Sequence, residues 1–505
     1  PRRGPRRTGG RTGPSAHGED PARRPATGPG TAPAQHPERP RPGKDDPSQS
    51  GFRGRMITAL EDPRTPLQGR SPCHREAVGR PDEKKTMSDH IRPPDQPAGP
   101  SPSPSSPTAA GRPAGTGPPS VALLTLHTIR NYGSVLQTLA TQVLLEGAGA
   151  RCSVLDFRRE NSGDDAVHYI AGSRYDRGPL VRRAYGLVRD RDARRRATVF
   201  QDFLARRINL TRTHYDSYEG LRGTADQYDS FCVGSDQVWN IVYNRDNRPF
   251  YLSFLPPGVH RFSFASSIGT PTLPGPEEER AVRALSAFDA LSVRESSARD
   301  YLAGLGLNAQ QHVDPTLAVP PAYWRELASE PVLEREYLLV YQLNRNPLLT
   351  RAASRLAART GLPVVRVDYW PTARMPLARR IVLPPVEDFL ALIRDASLVV
   401  TDSFHGVALS HVFATQFIAA PPPQYDGRLT SVLDLLGTGN RLIRSAEQAD
   451  VLPLRSGPLL FDRRRLGDER LRAGQYLRSC LAPLRAPRPA PDRPPTRPAL
   501  RPEAP

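Results

Sequence analysis

Apolar and polar positions divide the chain into an ordered middle between two unpatterned ends. From Ser120 onward, short apolar runs alternate with segments of helical spacing. Val121–Leu126 reads as a buried strand that breaks at His127–Ser134, and Val135, Leu136, Leu139, Val143 and Leu144 then recur at helical spacing as far as Gly147 and Gly149. Cys152–Phe157 is a second strand, which makes a βαβ opening with the parallel sheet and right-handed crossover that implies. Further strands are expected at 228–233, 261–265, 290–293 and 312–313, with a helix at 277–288. In the second half, strands are expected at 337–341, 364–368, 398–401 and 417–419. Helices are expected at 346–359, from Val386, from about Val407 and at 429–436. Residues 160–225, including Arg177–Arg196, read as a charged helical insertion, and 320–335 as a linker. Pro315 is expected to fix a turn, and a helix at 464–478 to fold back over the first half.

This alternation predicts two α/β, Rossmann-like domains, 119–320 and 321–475, facing a cleft. The ends differ in composition. Residues 1–118 are rich in Pro, Gly, Arg and Ser, and 476–505 in Pro and Arg; neither carries enough apolar surface to offset chain entropy. Both are expected to be disordered. Met87, in Thr86-Met87-Ser88, is a candidate start for the chain.

Net charge changes the picture less than its size suggests. The total is +18, but residues 1–118 hold 20 Lys and Arg against 12 Asp and Glu, and 476–505 hold 6 against 2. The middle is left at +6, so most of the basic excess sits in the ends, and nucleic-acid binding is not expected. Four Cys occur without a CxxC pattern: Cys152 and Cys232 read as small buried hydrophobes, Cys73 and Cys480 as tail residues. No run approaches the roughly 20 apolar residues of a membrane span. A soluble protein of the cytoplasm is expected.

Candidate chemistry gathers where predicted strands end. In an open α/β sheet, ligands sit off the carboxyl ends of strands, beside the helix N-termini that follow. Asp402, Ser403 and His405 follow the strand 398–401 in Thr401-Asp402-Ser403-Phe404-His405-Gly406, which makes His405 the leading candidate for catalysis, with Asp402 beside it. The same residues would also serve as a plain helix cap. Asn131, Gly133 and Ser134 stand at the start of the first helix, and Gly234, Ser235 and Asp236 at the end of the strand 228–233; each group is a ligand-facing loop or a capped turn. Arg294, after the strand 290–293, is placed to carry a guanidinium into the cleft, where it would suit phosphate or carboxylate. No metal-binding pattern is present in the sequence.

Six blocks together resemble the polysaccharide pyruvyl transferase family. They are Leu124-Thr125-Leu126-His127 with Asn131-Tyr132-Gly133-Ser134, Val233–Asn240, Ala265–Gly269, Ser292–Ser296, Asp314-Pro315-Thr316-Leu317 and Thr401–Gly406. The resemblance implies a GT-B-like fold. It implies transfer of a pyruvyl group from phosphoenolpyruvate to sugar hydroxyls of a cell-surface polysaccharide or its precursor, as a cyclic ketal, with no further cofactor. It casts His405 as general acid or base and Arg294 as a donor-binding cation. Where better-understood members resemble Ser-x-Arg-x-His, this chain has Ser403 in the place of the arginine, and Arg428 is the candidate to supply that charge. The alternatives are a transferase using another activated donor and a non-catalytic glycan-binding member of the same fold. Peripheral association with a glycan assembly machinery is a further expectation for the tails.

Overall fold

The structure, a computed structural model, describes residues 117–159, 194–368, 378–422, 425–454 and 457–485. All lie in one compact unit. Its first sheet is parallel throughout, with β1 (Ser120–Leu124), β2 (Arg151–Phe157), β3 (Leu210–Tyr215), β4 (Ser230–Val233) and β5 (Arg261–Ser263) in the order β3-β2-β1-β4-β5. A parallel pair, β6 (Leu291–Val293) and β7 (Ala309–Gln311), continues from β5 through bridges from Phe262 to Ala290 and from Ser266 to Val293. The second sheet is also parallel. It contains β8 (Leu338–Tyr341), β9 (Val364–Asp368), β10 (Arg379–Val382), β11 (Leu398–Thr401) and β12 (Phe417–Ala419) in the order β10-β9-β8-β11-β12. The expected pair of Rossmann-like layers is therefore present, and β1, β4, β8 and β11 are buried along their whole length. That burial explains why they read as unbroken apolar runs rather than as alternating ones.

The two strand orders place the site. In each sheet the order reverses at one point, between β1 and β4 and between β8 and β11. Chains leaving the carboxyl ends of such a strand pair diverge to opposite faces and leave a crevice between them. The two sheets share one apolar core, in which Tyr132 of the first half stacks on Phe389 of the second with ring centroids 4.0 Å apart. The Tyr132 hydroxyl donates to the Pro384 carbonyl at 2.7 Å.

Several elements differ from the sequence reading. Within 160–225 only 194–207 is a described helix, followed by β3 and a 3-10 turn at Glu219–Thr224. Both β3 and β10 are edge strands with little full burial, so their sequences carry no apolar run to betray them. Pro315 opens a short helix, Pro315–Ala318, for which Asp314 is the N-cap; proline suits that first position because the N–H it lacks would go unused there. The supposed linker holds the helix Pro321–Leu327. The helix after β11 begins at Phe404, three residues before the expected start.

The last helix runs Arg463–Leu481, with Leu466, Ala473, Tyr476, Leu477, Cys480 and Leu481 buried. It packs on the first half through Tyr476 Oη to the Ser263 carbonyl (2.8 Å) and Arg470 Nε to the Leu317 carbonyl (2.8 Å). The C-terminal tail thus cannot start at 476, and Cys480 is a core residue. Residues 1–116, with Met87 and Cys73, lie outside the described residues, as do 160–193 and 486–505.

Candidate functional site

Asn131 precedes the helix Tyr132–Gly147 in an extended conformation, and its side-chain oxygen accepts from the Ser134 N–H at 2.8 Å. The cap frees the Ser134 hydroxyl to donate to Asp236 Oδ2 at 2.9 Å. Asp236 sits just beyond β4 with φ of 75°, uncommon for a residue with a side chain. Its other oxygen accepts from the Gln237 N–H at 2.8 Å, which holds the carboxylate in the crevice. Two neighbours do not reach it. Gly234 is packed against Leu123 and Thr125, where any side chain would collide, and Ser235 turns inward to donate to Asp314 Oδ2 at 3.0 Å.

The second half brings its residues from the ends of β8 and β11. Asp402 accepts from the Leu343 N–H at 2.8 Å and from the Asn344 N–H at 3.2 Å, so both oxygens tie the turn after β8 to the turn after β11. Burial raises its pKa and these bonds counter the rise. Ser403 is the N-cap, accepting from the Gly406 N–H at 3.3 Å. Gly406 in turn lies flat on Thr401, where a Cβ would overlap the side chain. The cap geometry aims His405, one residue into the helix, toward the first half. Its ring meets Gly133, and its Nε2 lies 3.8 Å from Asp314 Oδ2 with no hydrogen-bond partner among the described residues. Burial lowers the His405 pKa, and the Asp314 and Asp236 carboxylates oppose that.

Asn131, Asp236, Asp402, Ser403 and His405 line one cavity of about 180 Å³. Its wall is drawn from the four strand ends at the two switch points: Asn131 after β1, Asp236 and Gln237 after β4, Leu343 and Asn344 after β8, and Asp402, Ser403 and His405 after β11. Arg428, from the helix Gly427–Leu435, brings in the guanidinium. Its Nε is buried without a partner among the described residues, and its pKa is lowered by burial and by the nearby Arg294. Of the residues singled out from sequence, Gly133 and Ser134 border this wall through His405 and Asp236, while Gly234, Ser235 and Arg294 are not part of it.

Arg294 departs most from expectation. Its side chain is 2% exposed, with Nε 3.1 Å from Glu295 Oε1 and Nη1 2.7 Å from Asp314 Oδ2. Its guanidinium carbon lies 4.4 Å from the centre of the Phe404 ring. Burial works against its charge, but the two carboxylates outweigh burial and raise its pKa. The pairing with Glu295 is an internal one. What remains open to Arg294 is a space of about 10 Å³, the size of one water, shared with Gln311, Ser431 and Arg428.

Asp314 is the residue that sequence reasoning passed over. It stood in one of the quoted blocks but not among the site residues. Fully buried, it accepts from Ser235, Arg294 and, through Oδ1, from the N–H and hydroxyl of Thr316 at 2.9 and 2.7 Å. Burial opposes its charge, yet His405, Arg294 and Thr316 lower its pKa. Its only sequence signal was Asp followed by Pro, a helix-start pattern.

A family model described as polysaccharide pyruvyl transferase matches residues 131–421, more than half of the chain and the whole span from Asn131 to His405. No curated protein matches the sequence. Among solved structures, a UDP-N-acetylglucosamine 2-epimerase from Rickettsia bellii is similar at 11% identity and a TM-score of 0.46, covering 73% of this chain and 97% of that one. A UDP-GlcNAc 2-epimerase from Neisseria meningitidis bound to UDP-GlcNAc gives 8% identity and a TM-score of 0.40, with 72% and 93% covered. The Methanocaldococcus jannaschii UDP-GlcNAc 2-epimerase gives 11% and 0.40, with 71% and 99% covered. These likenesses are too loose to speak to substrate.

Proposed function

This chain belongs to the polysaccharide pyruvyl transferase family and is a transferase; we propose that it moves a pyruvyl group from phosphoenolpyruvate to two hydroxyls of one sugar in a cell-surface glycan or its precursor, forming a cyclic ketal. The observation that carries this reading is the meeting of His405 and Arg428 in one cavity between the two switch points. A donor with a carboxylate and a phosphate calls for guanidinium groups, and Arg428 offers a buried Nε that has no partner among the described residues.

The reaction assigns these groups distinct tasks. The first sugar hydroxyl adds to C2 of the enol while C3 takes up a proton, and the hydroxyl gives up its own. His405 has an imidazole suited to moving a proton in that step. The C2–O bond to phosphate then breaks, phosphate leaving with the bonding pair, and Arg428 stabilises the charge it carries away. The second hydroxyl closes on C2 and releases a proton, so one phosphate appears for each ketal. Arg294 supports this arrangement from below by fixing Asp314 and bracing Phe404. Ser403 contributes its cap, and Asp402 holds the β8 turn against the cavity. Among the described residues no helix is long and apolar enough to cross a membrane; we place the reaction on the cytoplasmic side, where a phosphorylated donor is at hand.

The test is to supply phosphoenolpyruvate with glycan extracted from the native host and follow phosphate release beside the NMR signal of the ketal methyl. One phosphate per new methyl supports the reading. A second reading, a transferase with another activated donor, is favoured by one observation: Arg294 is held by two carboxylates and does not line the larger cavity. Turnover of a nucleotide sugar without consumption of phosphoenolpyruvate would select it.

A further inference from the structure

We infer that Asp314 is a positioning residue for His405: its carboxylate keeps the proton of the neutral imidazole on Nε2 and leaves the lone pair on Nδ1. This rests on the reading above, in which His405 moves a proton in pyruvyl transfer. It fixes which ring nitrogen does so.

Nε2 is buried, has no hydrogen-bond partner among the described residues, and lies 3.8 Å from Asp314 Oδ2. A bare nitrogen would aim its lone pair at a carboxylate, which is repulsive; an N–H there is attracted. At 3.8 Å the interaction is that of a charge with an N–H dipole, outside hydrogen-bond range. The carboxylate cannot turn away. Oδ2 is held by the Ser235 hydroxyl at 3.0 Å and by Arg294 Nη1 at 2.7 Å, and Oδ1 by the Thr316 N–H and hydroxyl. The ring is held too, edge-on to Phe404 with centroids 5.2 Å apart. Its Nδ1 edge meets Gly133, at the start of the helix that Asn131 caps. The charged groups that act on the ring are Asp314 and Asp236, which favour a proton, and Arg294 and Arg428, which disfavour one. Among them, Asp314 is the group paired with Nε2. A histidine's tautomer is ordinarily set by the hydrogen bond its other nitrogen makes; here the fixed charge of Asp314 takes that part. On this assignment the lone pair left to take up and return the hydroxyl proton is that of Nδ1.

The experiment uses the full chain, deuterated and labelled with ¹⁵N-histidine, and reads the His405 ring nitrogens by long-range ¹H–¹⁵N correlation between pH 5 and 8. His405→Gln identifies the signals. The expected result is the Nε2–H tautomer at neutral pH. In Asp314→Asn that preference is lost and the His405 titration midpoint falls by about one pH unit, as expected for removal of a nearby opposite charge. Should Asp314→Asn fail to fold, Ser235→Ala frees one hold on Oδ2 and is expected to weaken the preference. An Nδ1–H tautomer or an even mixture in the unmodified chain would overturn the inference. So would a tautomer and midpoint that neither variant moves. The measurement needs no donor, so an Nε2–H result in a chain that leaves phosphoenolpyruvate untouched would uphold this assignment and sink only the proposed reaction.

Discussion

Gly133 and His405 touch across the two halves of the molecule, and a Cβ on Gly133 would overlap the imidazole, nearest at Nδ1. A glycine is therefore required there by the space the ring occupies. Gly133→Ala is expected to push the imidazole out of place and to lower turnover by about 100-fold, the scale set by a 1 Å misplacement of a reacting group. Gly147, at the end of the same helix, has nothing within 4 Å of its would-be Cβ. Gly147→Ala should keep full turnover and raise stability by about 0.5–1 kcal/mol. Steady-state kinetics and urea denaturation on the pair check both statements.

The two arginines of the site should separate by what they lose. Arg294 is caged by Glu295 and Asp314, so Arg294→Ala leaves two buried carboxylates without their cation and should cost about 3–5 kcal/mol. Among the described residues Arg428 has no such pair, and it is opposed by the charge of Arg294. Arg428→Ala should change stability by less than about 1 kcal/mol, while abolishing the response to donor. Chemical denaturation of both variants distinguishes the structural cation from the binding one.

Stability should fall on mild acidification. His312 and His411 are buried, and burial lowers both pKa values to about 4, with Arg472 adding to the effect on His312. The unfolded value is about 6.5. Below that pH the unfolded chain takes up protons that the folded chain refuses, so the stabilisation is fully present above about pH 6.5 and is lost as pH falls toward 4. Each group contributes up to about 3 kcal/mol of that loss. Urea midpoints at pH 7.5, 6 and 5 should decline, and His411→Gln should flatten the decline by about half.

The course of the last helix predicts thiol reactivity. Cys152, Cys232 and Cys480 are all buried, and burial raises each pKa, that of Cys480 to about 11. In the native protein at pH 7.5 none of the three should react with an aromatic disulfide reagent, and all three should react in urea. Peptide mapping after brief labelling checks it. Fast native labelling at Cys480 would mean that the helix Arg463–Leu481 is not docked.

The sequence made the site's strand ends legible because β1, β4, β8 and β11 are buried on both faces and read as plain apolar runs. His405, Asp402, Asn131 and Asp236 could be picked out because each follows such a run. Edge strands β3 and β10 were not legible, since they are only partly buried and carry charge. The last helix was legible over 464–478, and it does fold back over the first half; its final residues to Leu481 were hidden by the Pro- and Arg-rich stretch beyond them. Arg294 and Asp314 show a different limit. A strand-end arginine looks alike whether it faces a ligand or two carboxylates 2.7 and 3.1 Å away. That choice depends on Asp314, twenty residues on, and no local pattern announces it.

The most direct test of the central claim is a melting curve of the full chain with phosphoenolpyruvate, beside phosphate, pyruvate and UDP-glucose, repeated with Arg428→Ala. A ligand at 100 times its Kd adds about 2.7 kcal/mol to the folded state, enough to move the midpoint visibly. The account predicts a rise with phosphoenolpyruvate that exceeds those of phosphate and pyruvate and vanishes in Arg428→Ala. A rise with UDP-glucose and none with phosphoenolpyruvate would contradict it.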